Sequence, residues 1–133
     1  MSKRLLFVFT ALMVAAMMLS ACGAKATYKC TDAIGCAVFT PGQTVKIGMG
    51  APMTGDNAAF GQDSAAAAEV AAADAGQFQG FSFELVAEDD GGTPEGGASV
   101  ANKFVANPQV VAIAGHEFSG ASLAAVPIYE AAG

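Results

Sequence analysis

The sequence predicts an α/β domain built on a parallel β-sheet, and three observations carry that expectation. Two continuous apolar runs, "VKIGMGA" at 45–51 and "VVAIA" at 110–114, have the composition of strands covered on both faces. A third run, "FSFELVAE" at 81–88, alternates: Phe81, Phe83, Leu85 and Ala87 fall on one side, Ser82, Glu84 and Glu88 on the other. That period of two marks a half-exposed strand. Helical patterns separate the three, and strand and helix taking turns call for parallel strands joined by right-handed crossovers.

The chain opens with a segment outside this domain. "MSKR" supplies a positive start, "LLFVFTALMVAAMML" is a 15-residue apolar stretch, and "LSAC" closes it. A helix needs about 20 apolar residues to span a bilayer, so the stretch is short for a permanent anchor. Residues 1–21 read as a lipoprotein signal peptide, because "LSAC" resembles a bacterial lipoprotein box. That resemblance implies that Cys22 becomes the lipid-bearing first residue and tethers the protein to the membrane.

Residues 22–44 read as a lipid-anchored tether with a cysteine loop, and 45–133 as the folded part. Within the tether, Cys30 and Cys36 in "YKCTDAIGCAV" are close enough to close a small loop in an oxidising compartment. A zinc site is the rival reading, but two thiols without nearby His or further Cys fall short of four ligands. No metal or cofactor is expected. Without residues 1–21 the chain carries 4 basic and 12 acidic side chains. Nucleic acid as a partner needs a basic footprint, and none is present.

The elements follow in order. After the first strand, "AAFGQDSAAAAEVAAADA" at 58–75 reads as a helix, since alanine has the best intrinsic propensity and Asp63, Glu69 and Asp74 supply wet positions. Gly76 ends it. After the strand at 81–88, Thr93 caps and Pro94 begins a helix that runs through Ala98, Ala101, Phe104 and Val105 to "NP" at 107–108. The last helix begins near Ser119 and contains Pro127, which would bend or break it.

Patterning also orders the sheet. The continuous apolar strands belong inside and the alternating one at an edge, which gives the order second, first, third (2-1-3). Connections then diverge between the first and third strands, and a small ligand is expected in the crevice beyond their carboxyl ends. The loops there are "APMTGDNAAFG" and "GHEFSG", and both lead into helices. A helix start offers unpaired amide hydrogens and the positive end of the dipole, a match for a carboxylate. Ser119 adds a hydroxyl, Gly120 allows close approach, and Phe60 supplies an aromatic wall.

"IGMGAPMTGDNAAFGQD", "ELVAEDDGGTPEGGASVANKFV" and "VVAIAGHEFSGASLAAVPIYEAAG" together resemble the amino-terminal lobe of the branched-chain amino acid (Leu/Ile/Val-binding, type I) family of periplasmic solute-binding proteins of ABC importers. The resemblance covers about 45–133. It implies a three-layer lobe and a lipid-tethered receptor that delivers amino acids or small amides to a permease and ATPase complex. The serine of "GHxxSG", here Ser119, would hold the ligand carboxylate, and Phe60 matches an aromatic that is often tyrosine. Thr54 matches a small hydroxyl residue in "MTG", and Glu117 and Phe118 flank the pocket. The ligand's ammonium group is recognised in that family from later loops and a second lobe. The chain stops where the first lobe should enter its fourth strand, so it reads as a fragment or truncated gene model. Val110–Ala114 would then present an apolar edge.

Other readings of the same residues are weaker. His116 and Ser119 could suggest a hydrolase, but nucleophilic catalysis needs a base in reach and a third group orienting it, and no "GxSxG" elbow surrounds Ser119. His116 is expected instead to bond neighbouring backbone and hold its loop. Asp89 and Asp90 at a strand end are expected to be solvated rather than metal-bound. "GMGAPMTG" lacks the G-x-G-x-x-G spacing of a dinucleotide site. The ectodomain of an amino-acid sensor remains an alternative to a transport receptor.

Overall fold

The computed structural model of the chain describes residues 28–133. The expected signal peptide at 1–21 and Cys22 lie outside the described residues. The chain divides into Met1–Cys30 and Thr31–Gly133, and the second unit carries the fold. Cys30 and Cys36 are disulfide-bonded.

The element order is β1 (Thr44–Ala51), α1 (Ala58–Ala75), β2 (Gln77–Phe78), β3 (Phe81–Asp89), α2 (Pro94–Val105), β4 (Val110–Ile113) and α3 (Ser119–Ala132). The sheet runs β2-β3-β1-β4. β1 pairs in parallel with β3, from Thr44 opposite Ser82 to Ala51 opposite Asp89, and in parallel with β4. The three expected strands therefore stand in the expected order.

Alternation along β1 separates the two faces. Met49 and Ala51 pack with Ala65 of α1, and Met53, Ala68 and Leu85 close around them. On the opposite face, a β-carbon on Gly48 would lie 2.8 Å from Ile113 and 3.0 Å from Phe104. Val100, Ala101 and Phe104 of α2 and Ala121 and Ala125 of α3 are all buried on that side. Helix α3 can sit so close to α2 because Gly97 faces the backbone of Ala121, where any side chain would collide. The result is α1 on one face of the sheet and α2 with α3 on the other, a three-layer arrangement.

Helix ends follow the local chemistry. The Thr93 hydroxyl accepts from the Gly96 amide at 3.0 Å, with Pro94 in the first turn, Glu95 near the positive end and Lys103 near the negative end of α2. Gly76 ends α1 at φ 62°. Pro127 lies inside α3, which continues to Ala132.

Three differences from the sequence reading have physical causes. β2 was not expected: it pairs antiparallel with the start of β3 through a tight turn at Gln79 and Gly80, both at positive φ. Glutamine gives no hint of that turn, since asparagine or glycine is the usual occupant. This ribbon puts β3 between two strands, whereas the alternating pattern had assigned it an edge. Among the described residues β4 is flanked by β1 alone, with Val111 45% exposed: the apolar edge expected of Val110–Ala114 is present, although the same composition had placed the strand inside the sheet. An open groove of about 640 Å³ follows its free side, lined by Val38, Val105, Val111 and Ile113 among others.

Candidate functional site at the carboxyl end of the sheet

The loops after β1 and β4 dock on the end of β1. Ala114 N–H donates to Gly48 O at 2.8 Å and Glu117 N–H to Gly50 O at 3.2 Å, which extends the β1–β4 ladder past the strand into the loop. Asp90 N–H donates to Ala51 O at 3.1 Å, bringing in the β3–α2 loop as well. All three loops thus converge at the point where the connections from β1 and β4 diverge.

Helix α3 starts there. Phe118 holds the cap position in extended conformation, φ −98° and ψ 138°, without a side-chain cap bond. The turn's first helical bond runs from Ser122 N–H to Phe118 O at 3.0 Å, so the amides of Ser119 and Gly120 precede the helical ladder. Both residues are exposed, and the Ser119 hydroxyl has no partner among the described residues. An exposed hydroxyl beside unpaired amides at the positive end of a 14-residue helix is suited to an anion.

Behind this turn lies a buried chain of side chains. His116 Nδ1 is 2.6 Å from Asp90 Oδ2, and His116 Nε2 is 2.9 Å from the Tyr129 hydroxyl. Asp90 Oδ1 accepts from Gly92 N–H at 2.8 Å. Asp90 is 1% and His116 7% exposed, which corrects the expectation of a solvated carboxylate. It also corrects His116, whose ring bonds two side chains rather than backbone. The ring lies on Gly50, where even a methyl group would collide with it. Burial, and then the negative charge of Asp90, push the Tyr129 phenol up to about 12. The Ser122 hydroxyl, within reach of His116 O at 3.0 Å and Phe118 O at 3.2 Å, holds the same turn from inside α3.

Glu117 reaches the other way. Its Oε1 accepts from the Ser64 hydroxyl of α1 at 3.2 Å, so the third loop touches the second turn of α1. Phe60 stands four residues before Ser64, on the same face of that helix and one turn nearer the crevice, and is 61% exposed. The structure therefore brings Glu117 to Ser64 of α1, with Phe60 exposed one turn before Ser64 and without a contact to Ser119 or Gly120 among the described residues. Phe118 is half-buried against Gly92, where a β-carbon would come within 2.7 Å of its ring, so it packs between the second and third loops.

Thr54 is occupied elsewhere. Its hydroxyl donates to Asp89 Oδ2 at 2.5 Å, while Asp89 Oδ1 accepts from Met53 N–H and Gly91 N–H, each at 2.9 Å. These bonds, with that from Thr54 foremost, hold the Asp89 carboxyl below the usual carboxylate range. Asp89 thereby fastens the first loop to the second.

Both ring nitrogens of His116 are engaged, so the ring has no free nitrogen with which to take a proton from Ser119, and the geometry of a hydrolytic pair is not formed. Among the described residues no three His, Cys, Asp or Glu side chains converge as metal ligands. Sequence reasoning missed Tyr129, Ser64 and Ser122, and it named Asp90 only as a solvated acid. A tyrosine ten positions after Ser119 on one helix was the only available hint of the buried chain.

A three-layer α/β lobe with an open helix start at the strand crossover is the architecture of a solute-binding lobe. The chain belongs to the periplasmic binding protein family, whose model matches residues 44–133. It is 41% identical over 101 residues to a Leu/Ile/Val-binding protein homolog 2 of Brucella abortus, covering 71% of this chain and 27% of that one. Its fold resembles the leucine binding protein of Thermotoga maritima with a TM-score of 0.61 and 33% identity, over 66% of this chain and 25% of that one. It likewise resembles an ABC transporter solute binding protein of R. palustris in complex with 4-hydroxybenzoate, with a TM-score of 0.61 and 26% identity, over 68% and 25% of the two chains. The chain spans about a quarter of the length of these relatives.

Proposed function

We propose that this chain is part of a substrate-binding lipoprotein of an ABC importer. It captures branched-chain or related amino acids, or small amides, outside the cytoplasmic membrane and delivers them to the permease and its ATPase. Residues 1–21 are removed on export, Cys22 carries the lipid, and 22–44 tether the lobe. The observation that carries this reading is the exposed start of α3, where the free Ser119 hydroxyl and the Ser119 and Gly120 amides precede the helical ladder. A ligand carboxylate fits there because those donors are already oriented and the helix dipole favours negative charge. Phe60 provides the apolar wall for an aliphatic side chain. No covalent chemistry is required, since His116 is committed to Asp90 and Tyr129.

Isothermal titration of the full-length protein with leucine, isoleucine, valine and their amides tests the reading. Saturable binding by at least one of them supports it. Uniform failure of amino acids and amides, with the protein folded, would sink it. Labelling with a radioactive fatty acid, lost on Cys22→Ser, tests the anchor separately.

A further inference from the structure

The turn inside the cysteine loop is fixed in several ways. Cys30 and Cys36 are bridged, Gly35 N–H donates to Asp32 O at 3.2 Å, and Ile34 N–H donates to the Asp32 carboxylate at 3.1 Å. Turns of this kind favour glycine or short polar residues. Here the third position is Ile34, 72% exposed, and Val38 four residues on is 63% exposed. Aliphatic side chains held out in water add nothing to the lobe's own core, and they suit a second apolar phase. Phe39 packs edge-on against Phe81, the first residue of β3, with ring centroids 6.0 Å apart, and Ile34 O stands where a β-carbon on Gly133 would be, at the end of α3. The loop therefore stands at the amino end of the sheet, opposite the crevice.

Charge identifies the phase. Residues 22–38 hold Lys25 and Lys29 against Asp32 alone, whereas 39–133 hold Lys46 and Lys103 against 11 acids. An anionic surface attracts the first segment and repels the second. Cys30 follows Cys22 by only eight positions, so a lipid on Cys22 keeps the loop within about 30 Å of the bilayer and makes a weak second contact effectively intramolecular. We propose that the tip of the cysteine loop, Ile34 with Val38, is a membrane-docking element that enters the headgroup region of an anionic bilayer, with Lys25 and Lys29 drawn to the headgroup phosphates. This rests on the preceding reading of Cys22 as the lipid-bearing residue. The tether is then an oriented mount: the amino end of the sheet faces the bilayer, and the start of α3 faces away from it.

The test places a fluorophore on the loop. Full-length, lipid-modified protein carrying Ile34→Trp is reconstituted into vesicles of phosphatidylglycerol and phosphatidylethanolamine, with and without lipids brominated in the acyl chains, and its emission is read as the difference from the parent protein. Glu69→Trp, on the exposed side of α1, is the control, and neither position belongs to the core. Ile34→Trp is expected to shift its emission to the blue and lose intensity to the brominated lipid, as a ring held about 5–10 Å into the interface does. Glu69→Trp should do neither. Replacing phosphatidylglycerol by phosphatidylcholine, or adding Lys29→Gln in the anionic vesicles, should reduce the loss. Equal quenching at the two positions overturns the proposal. So does an Ile34→Trp protein shielded from aqueous acrylamide yet untouched by brominated lipid, since a protein partner then covers the loop. If Cys22 carries fatty acid and Ile34→Trp is not quenched, only the docking element falls. If Cys22 carries none, the anchor falls and the docking element falls with it.

Discussion

The carboxylate of Asp90 and the imidazole of His116, 26 residues apart in sequence, meet at 2.6 Å with side chains 0% and 1% exposed. The contact ties the β3–α2 loop to the turn that opens α3, and Tyr129 extends it into the helix itself. Breaking a buried pair from one side strands the other polar group, a loss of about 3–5 kcal/mol. Asp90→Ala is expected to lower stability on that scale, whereas Asp90→Asn keeps an acceptor for the ring and should lose less. Urea unfolding midpoints of the two variants and of the wild type check this, and an Asp90→Ala midpoint equal to that of the wild type would show that the contact contributes nothing.

Acid should act through Asp89. Its folded carboxyl lies below the ordinary value because Thr54, Gly91 and Met53 all donate to it. A depressed acid contributes stability that is fully present above the unfolded value, about 4, and is lost as pH falls through the folded one. Melting temperature should therefore drop below about pH 4, with a shallower drop in Asp89→Asn. Thr54→Val removes the foremost of the three donors, so it should lower stability at neutral pH and make the acid limb shallower, as Asp89→Asn does.

The alkaline limb has the opposite sign. Tyr129 is raised from 10.0 to about 12, so its contribution is intact below pH 10 and is lost as pH rises through 12. Tyr129→Phe should flatten the loss of stability between pH 10 and 12. The same variant leaves His116 Nε2 without its partner, so it should be less stable by about 1–3 kcal/mol at neutral pH. Absorbance of the ionised phenol followed against pH, taken as the difference between wild type and Tyr129→Phe so that Tyr28 cancels, reads the tyrosine.

Much of this fold is legible because short-range chemistry fixes it. Thr93 and Pro94 announce α2, Gly76 ends α1, and the apolar composition of β1 sets it in the middle of the sheet. The positions of Ser119 at the start of α3 and of Phe60 in the first turn of α1 were legible for the same reason, since helix starts and strand ends are local features. What stayed hidden depended on partners distant in sequence. Nothing in "EDDGG" separates Asp89, exposed and bonded to Thr54, from Asp90, which meets His116 only after α2 and β4 have formed. β3 misled for a related reason: its burial is set by neighbours, so Ala87 is exposed and Val86 half-buried despite the alternating letters.

Two hydroxyls at helix starts should separate stability from binding. The Thr93 hydroxyl caps α2 by accepting from Gly96 N–H, so Thr93→Ala is expected to cost about 1 kcal/mol of stability. It is not among the proposed carboxylate donors, although Pro94 beside it lies 3.6 Å from where a β-carbon on Gly120 would stand, so ligand affinity should change less than in Ser119→Ala. Ser119 stands one position past the cap, exposed, its hydroxyl without a partner among the described residues. Its removal breaks nothing in the unliganded lobe, so Ser119→Ala should stay within about 0.5 kcal/mol of wild-type stability. On the proposed reading the same change deletes one hydrogen bond to a ligand carboxylate, which weakens affinity by about tenfold. Urea melts and titrations with the best amino acid, run on both variants, give a double dissociation. A Ser119→Ala protein that unfolds early but binds normally would assign that hydroxyl to the fold instead of the ligand.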